Sequence, residues 1–180
     1  MRTVALVLAL FMVVGTVPAA LAHDDDHTVR ARLSGFNETP LTLSTPASGQ
    51  FRARINSTET MITYELSYQG LEGTVTQAHI HLGRPAITGG IVLFLCTNLA
   101  PPAGVPLPQA CPMTASAHIS GTLTAADVIA QAPQGIAGSA DFGEVVRAIR
   151  AGATYANVHS LLRPAGEIRG PISGGGDHDD

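Results

Sequence analysis

Two short segments hold the residues of this 180-residue chain best suited to chemistry. The first is Gln77-Ala78-His79-Ile80-His81-Leu82-Gly83, with two imidazoles at i and i+2. Extended backbone sends successive side chains to opposite faces. Ala78, Ile80 and Leu82 are therefore expected in the core, with His79 and His81 projecting from the other side, where two rings can converge on one ion. The same counting on Tyr155-Ala156-Asn157-Val158-His159-Ser160 sends Ala156 and Val158 inward and Tyr155, Asn157 and His159 outward. In Gly166-Glu167-Ile168-Arg169-Gly170, Ile168 is the core residue, so Glu167 and Arg169 are expected to share the opposite face.

If those segments are neighbouring strands, His79, His81 and His159 make a three-nitrogen site, with Glu167 or Asn157 orienting the rings. Neutral imidazole suits copper or zinc, and a ligating histidine hands its second N–H to a carboxylate or carbonyl. The competing reading needs no metal: the histidines hydrogen-bond across strands and to Glu167, stitching the sheet. His118, in Ser116-Ala117-His118-Ile119, is a fourth ligand candidate that reads more simply as an exposed strand residue. For Glu167 and Arg169 the default is a strand-surface ion network, worth about 0–1 kcal/mol if exposed. Arg169 would guide an anion only if it overhangs an open metal.

These side chains need strands to place them, and the composition favours strands. The chain is 45% hydrophobic and 13% charged, with 19 Gly, 12 Pro and no Trp. That balance is too apolar for disorder, and it implies a core of Val, Ile, Leu and Ala cut by many turns. Period-2 alternation recurs between turn residues: Val29-Ala31-Leu33 against Arg30 and Arg32, Phe51-Ala53-Ile55 against Arg52 and Arg54, and Ile62-Tyr64-Leu66-Tyr68 against Thr63, Glu65 and Ser67. Further strands are expected near 74–83, 90–97, 115–123, 154–162 and 166–172. The pattern predicts an all-β, antiparallel sandwich or Greek-key barrel of about eight strands. Two helical interruptions are expected. Thr124 and Asp127 cap a short turn ending by Pro133. Asp141 and Glu144 have capping-box spacing before Phe142, Val145, Val146 and Ile149, with Gly152 as the stop.

Residues 1–22 read as a secretory signal, with Arg2, the apolar run Val4 to Val14, and Ala20-Leu21-Ala22 as the cleavage site. Its removal leaves nine Arg against fourteen acidic residues. The apolar run is about half the roughly 20 residues a spanning helix needs, so the product is expected to be soluble, secreted or periplasmic, and not membrane-spanning after cleavage. In an oxidising compartment Cys96 and Cys111, flanking a Pro-rich stretch, are expected to form a disulfide. The segments 23–28 and 174–180, rich in His, Asp and Gly, read as solvated polar tails around a single domain at 29–173. No basic run is present, so no nucleic-acid partner is expected. No GxSxG, GxxxxGK[ST] or HExxH motif occurs, so any enzymatic chemistry must run through the histidines.

Several segments, taken in order, resemble the chordin-domain (CHRD) family. They are Leu33-Ser-Gly-Phe36 with Glu38-Thr-Pro40, Gly49 with Phe51, Ala78-His-Ile-His-Leu-Gly83, Gly89-Gly-Ile-Val92, Gly121-Thr-Leu-Thr124, and Tyr155-Ala-Asn-Val-His-Ser160 leading to Pro164-Ala-Gly-Glu-Ile-Arg-Gly170. The resemblance implies a secreted β-sandwich-like module of unassigned ligand. The stretch from Ala78 to Gly83 is also similar to the copper-ligand strand of copper/zinc superoxide dismutases. That family's long loop of further ligands has no counterpart here, because 97–110 holds no His, Asp or Glu. The leading functional reading is a non-enzymatic exported module that meets an extracellular or periplasmic partner through the polar face of His79, His81, His159, Asn157, Glu167 and Arg169. The rival is a copper-binding, superoxide-dismutase-like redox protein using the three histidines.

Overall fold

The computed structural model describes residues 27–174; the expected signal at 1–22 and most of both polar tails lie outside them. Eight strands appear where alternation placed them: β1 Thr28–Ser34, β2 Ser48–Ile55, β3 Met61–Gln69, β4 Val75–Leu82, β5 Gly90–Thr97, β6 Ala117–Thr124, β7 Thr154–Ser160 and β8 Ile168–Pro171. They form one antiparallel sheet in the order β5-β4-β7-β8-β1-β2-β3-β6, curled into a nearly closed barrel. The alternating aliphatics fill its interior, from Val29, Ala31 and Leu33 through Phe51, Ile62 and Leu66 to Ile80, Val158 and Ile168.

The edge strands β5 and β6 are joined by side chains. Tyr64 Oη donates to the Leu95 carbonyl at 2.5 Å, and Gln109 Nε2 reaches both Leu95 O (3.4 Å) and Ser120 O (3.0 Å). The Cys96–Cys111 disulfide anchors the Pro-rich segment that carries Gln109 to the end of β5. Closing a loop of this length contributes about 3 kcal/mol.

The single α-helix among the described residues, α1 (Phe142–Arg150), buries Phe142, Val145, Val146 and Ile149 in the same core. Gly152, at φ 63°, ends it as expected. The capping box at its start does not form. Asp141 Oδ2 instead accepts from the Ala137 amide, and Glu144 pairs with Arg147 one turn on. The Thr124/Asp127 cap does form, with Asp127 Oδ2 accepting from Thr124 N at 2.7 Å and Thr124 Oγ1 at 3.0 Å.

Candidate metal centre

β4 and β7 are neighbours, with Gln77 opposite His159, His79 opposite Asn157 and His81 opposite Tyr155. Ala78, Ile80, Ala156 and Val158 face the core, so the parity expectation holds and all three histidines leave on the other side. There the structure departs from the sequence reading. The outward face of β4 and β7 is not a surface: His79, His81 and His159 are 1%, 7% and 9% exposed, and every residue of β7 is buried. The β1–β2 and β4–β5 connections account for much of the cover. Arg169 donates to Thr39 Oγ1 and, at 3.1 Å, to the Ile87 carbonyl, while Glu38 meets Asn157 at 2.8 Å.

The rings are clustered. His79 lies 4.8 Å from His159 and 5.3 Å from His81, centroid to centroid, and Phe94 of β5 packs edge-on against His79 at 4.7 Å. Tyr155 stacks flat on His81 at 4.6 Å, and the Arg169 guanidinium sits 3.7 Å over the Tyr155 ring. A cation over an aromatic face is attracted to the ring's negative quadrupole.

Each imidazole has one nitrogen occupied. His79 Nε2 meets Gln77 Oε1 at 2.5 Å, His81 Nδ1 meets the Gly89 carbonyl at 3.0 Å, and His159 Nδ1 meets the Pro164 carbonyl at 3.0 Å. Carbonyl oxygens only accept, so those nitrogens carry the protons and fix the tautomers. The other three, His79 Nδ1, His81 Nε2 and His159 Nε2, are buried lone pairs without a partner. One ligand atom from each histidine lies within 4.8 Å of the others.

Burial is the main cause that keeps the triad neutral. It pushes His79 down to about 2, with the neighbouring histidines adding to the effect, and His81 down to about 4, partly offset by the bond to Gly89. His159 is lowered too, against the raising effect of its Pro164 bond. Neutral imidazole is the form that ligates. Gly166, at φ 131°, leaves no room for a Cβ, since one would stand 2.7 Å from Glu38 Oε2 and 2.9 Å from Asn157 Nδ2. Burial pushes the Glu38 carboxyl up to about 7, against the lowering pull of Asn157 and Arg169.

The other expected site residues are placed as follows. Asn157 belongs to the buried face, but its amide donates to Glu38 and to the Ile168 carbonyl (2.9 Å), which orients the wall of the site. Glu167 is turned elsewhere: it accepts from Ser160 Oγ and from the Glu72 amide, both at 2.5 Å. It precedes β8, where strand alternation no longer sets direction, and with Arg169 engaged by Thr39 and Ile87 the expected surface ion network is replaced by two separate buried contacts. Arg169 does not overhang an open site. His118 is exposed on β6, away from the triad. Sequence reasoning missed Gln77, Glu38, Phe94 and the Gly89 and Pro164 carbonyls. Gln77 carried a signal, two residues before His79 on the same face, whereas a backbone carbonyl leaves none.

No described helix is long and apolar enough to cross a membrane. No curated protein and no solved structure is matched. The CHRD domain model matches residues 29–172, which takes in all but the first residue of β1 and runs past the end of β8. The chain is therefore a member of the CHRD-domain family.

Proposed function

We propose that this protein is an exported CHRD module that holds one transition-metal ion, copper or zinc, on His79, His81 and His159, and that the ion's role is to lock β4 to β7. The observation that carries the reading is the pattern of hydrogen bonds: each ring has one nitrogen anchored to an oxygen and the other left as a buried lone pair. An unsatisfied buried polar atom costs about 1–3 kcal/mol. Three in one cluster form an arrangement that a cation relieves. Metal–nitrogen bonds of 2.0–2.1 Å with tetrahedral angles bring ligand nitrogens to about 3.4 Å, so the rings close by roughly an ångström on loading.

Burial of the triad, and the engagement of Arg169 with two loops, support a structural ion over one that turns over an anionic substrate. The partner-binding role expected of an exported module stands beside this reading, and the ion would stiffen the face that carries it.

The test is to purify the exported chain, add Cu(II) or Zn(II), and count retained ions by native mass spectrometry after a chelator wash. One ion per chain is expected, with none in His79→Ala or His159→Ala and one still in His118→Ala. Far-UV circular dichroism of each variant checks that the sheet is intact. Uptake that persists in folded His79→Ala, or no uptake beyond that of a peptide copy of the His/Asp tails, refutes the metal reading and leaves the triad as a packed neutral cluster.

A further inference from the structure

The sequence contains no basic run, yet strand pairing assembles one. Arg30 and Arg32 of β1 and Arg52 and Arg54 of β2 all point away from the core and are exposed. The register places Arg30 directly opposite Arg52, and Thr28 opposite Arg54. Like charges directly opposed on neighbouring strands are destabilising. Across the next pairing Glu65 of β3 faces Arg52. An open groove of about 430 Å³ runs over the same face, lined by Arg52, Arg54, Thr63, Glu65 and Ser120.

The compensating charge is at the chain's ends. Residues 28–174 hold nine of the ten Arg and eight of the fourteen acidic residues; the other six are Asp24, Asp25, Asp26, Asp177, Asp179 and Asp180. The last described residues lead to the basic face. Ser173 pairs with Arg30 through two backbone hydrogen bonds of 2.8 and 2.9 Å, and a Cβ on Gly174 would stand 2.9 Å from the Thr28 carbonyl. From Gly174 to Asp177 is three residues, or about 10 Å extended. Adjacent strands are about 4.8 Å apart, so Asp177 to Asp180 can reach both Arg30 and Arg52.

We propose that the outward face of β1 and β2 is a docking surface for an acidic peptide, and that its occupant is this chain's own Asp177–Asp180 segment. A tether of three glycines holds those carboxylates at an effective concentration in the millimolar range, enough to populate ion pairs that are individually weak. The contact is electrostatic, exposed and sensitive to salt. It does not depend on any ion at the histidine triad.

The experiment uses the full chain with a nitroxide on Asp179→Cys and the Cys96–Cys111 disulfide left oxidised, with amide peak intensities read by NMR. Arg52, Arg54 and Thr63 are expected to lose at least half their intensity. The loss should recover in Arg30→Gln/Arg52→Gln and in about 0.5 M salt, where the Debye length is only a few ångströms. Both arginines are exposed, so the double variant keeps the fold. Broadening confined to residues beside Gly174, or broadening that survives the arginine changes and salt, overturns the proposal. So does a label on Asp25→Cys that broadens the same amides while the Asp179 label does not, since the occupant would then be the N-terminal segment.

Discussion

On β1 and β2 the side chains that point away from the core include Arg30, Arg32, Arg52 and Arg54, and they meet solvent. On β4 and β7 the residues in the same relation to the core include His79, His81, Tyr155, Asn157 and His159, and these five are buried. Both regions belong to one sheet and follow the same alternation. They differ in what lies over them. β2 returns to β3 through a tight turn held by Asn56, whose Oδ1 accepts from the Thr60 and Met61 amides. The longer β1–β2 and β4–β5 connections instead fold back over β4, β7 and β8, joined by Arg169 and by a 3.2 Å bond between Thr39 and Thr88. Alternation thus sets which side chains share a face, while the connections decide whether that face is a surface or a second, polar interior.

The difference can be probed first at the seam between the halves. β8 meets β1 so closely that a Cβ on Gly170 would stand 2.1 Å from the Arg32 carbonyl oxygen, and backbone cannot swing aside as a side chain can. Gly170→Ala is expected to cost about 3 kcal/mol, the upper end of overpacking, as read from the urea unfolding midpoint. A loss near zero would mean that β8 and β1 are not in register contact.

The next effect sets a covered carboxylate against an exposed one. Glu167→Ala strands the Ser160 hydroxyl in the interior, removes the acceptor of the Glu72 amide, and is expected to cost about 2 kcal/mol. Glu65→Ala on the open half should stay within about 0.5 kcal/mol. Equal losses would erase the distinction between the halves.

A smaller effect appears only as the pH changes. In the fold Glu38 titrates near 7, above the ordinary value of 4.5, because it is buried. The folded state therefore holds a proton that the unfolded chain has released. The stability this contributes is complete below about pH 4.5 and is lost as the pH rises through 7. Gln keeps an oxygen for the Asn157 amide and cannot ionise, so the Tm of Glu38→Gln should gain on the native protein between pH 6 and pH 8, at roughly 3 °C per kcal/mol. A Tm difference that stays constant over that range would show that Glu38 is solvated and that the cover over β7 is loose.

The smallest effect has the opposite sign. A Cβ on exposed Gly143 of α1 meets nothing within 4 Å, so Gly143→Ala should stabilise by about 0.5–1 kcal/mol through helix propensity alone.

All eight strands and the helix were legible, because alternation and the 3.6-residue pattern are local and Gly and Pro mark the turns. The triad was legible as three residue types and a face. Its orienting partners were not, since Gly89 and Pro164 contribute carbonyls that every residue has. Glu167 was misread because it stands just before β8, after Gly166 at φ 131°, where counting by twos has no meaning. The Arg30–Arg52 apposition was invisible for a different reason: register between strands is fixed by pairing, and no run of basic residues announces it.

By itself the sequence determined the strands, the core, the disulfide partners and the side of the sheet on which each histidine leaves, since all of these follow from short-range periodicity or from having only two cysteines. The tertiary structure alone decided that His159 lies beside His79, that the outward face of β7 is enclosed, and that each imidazole keeps one nitrogen without a partner. Those properties depend on which strands become neighbours and on where the connections between them come to rest. Both are settled by contacts between residues far apart in the chain, which no local pattern encodes.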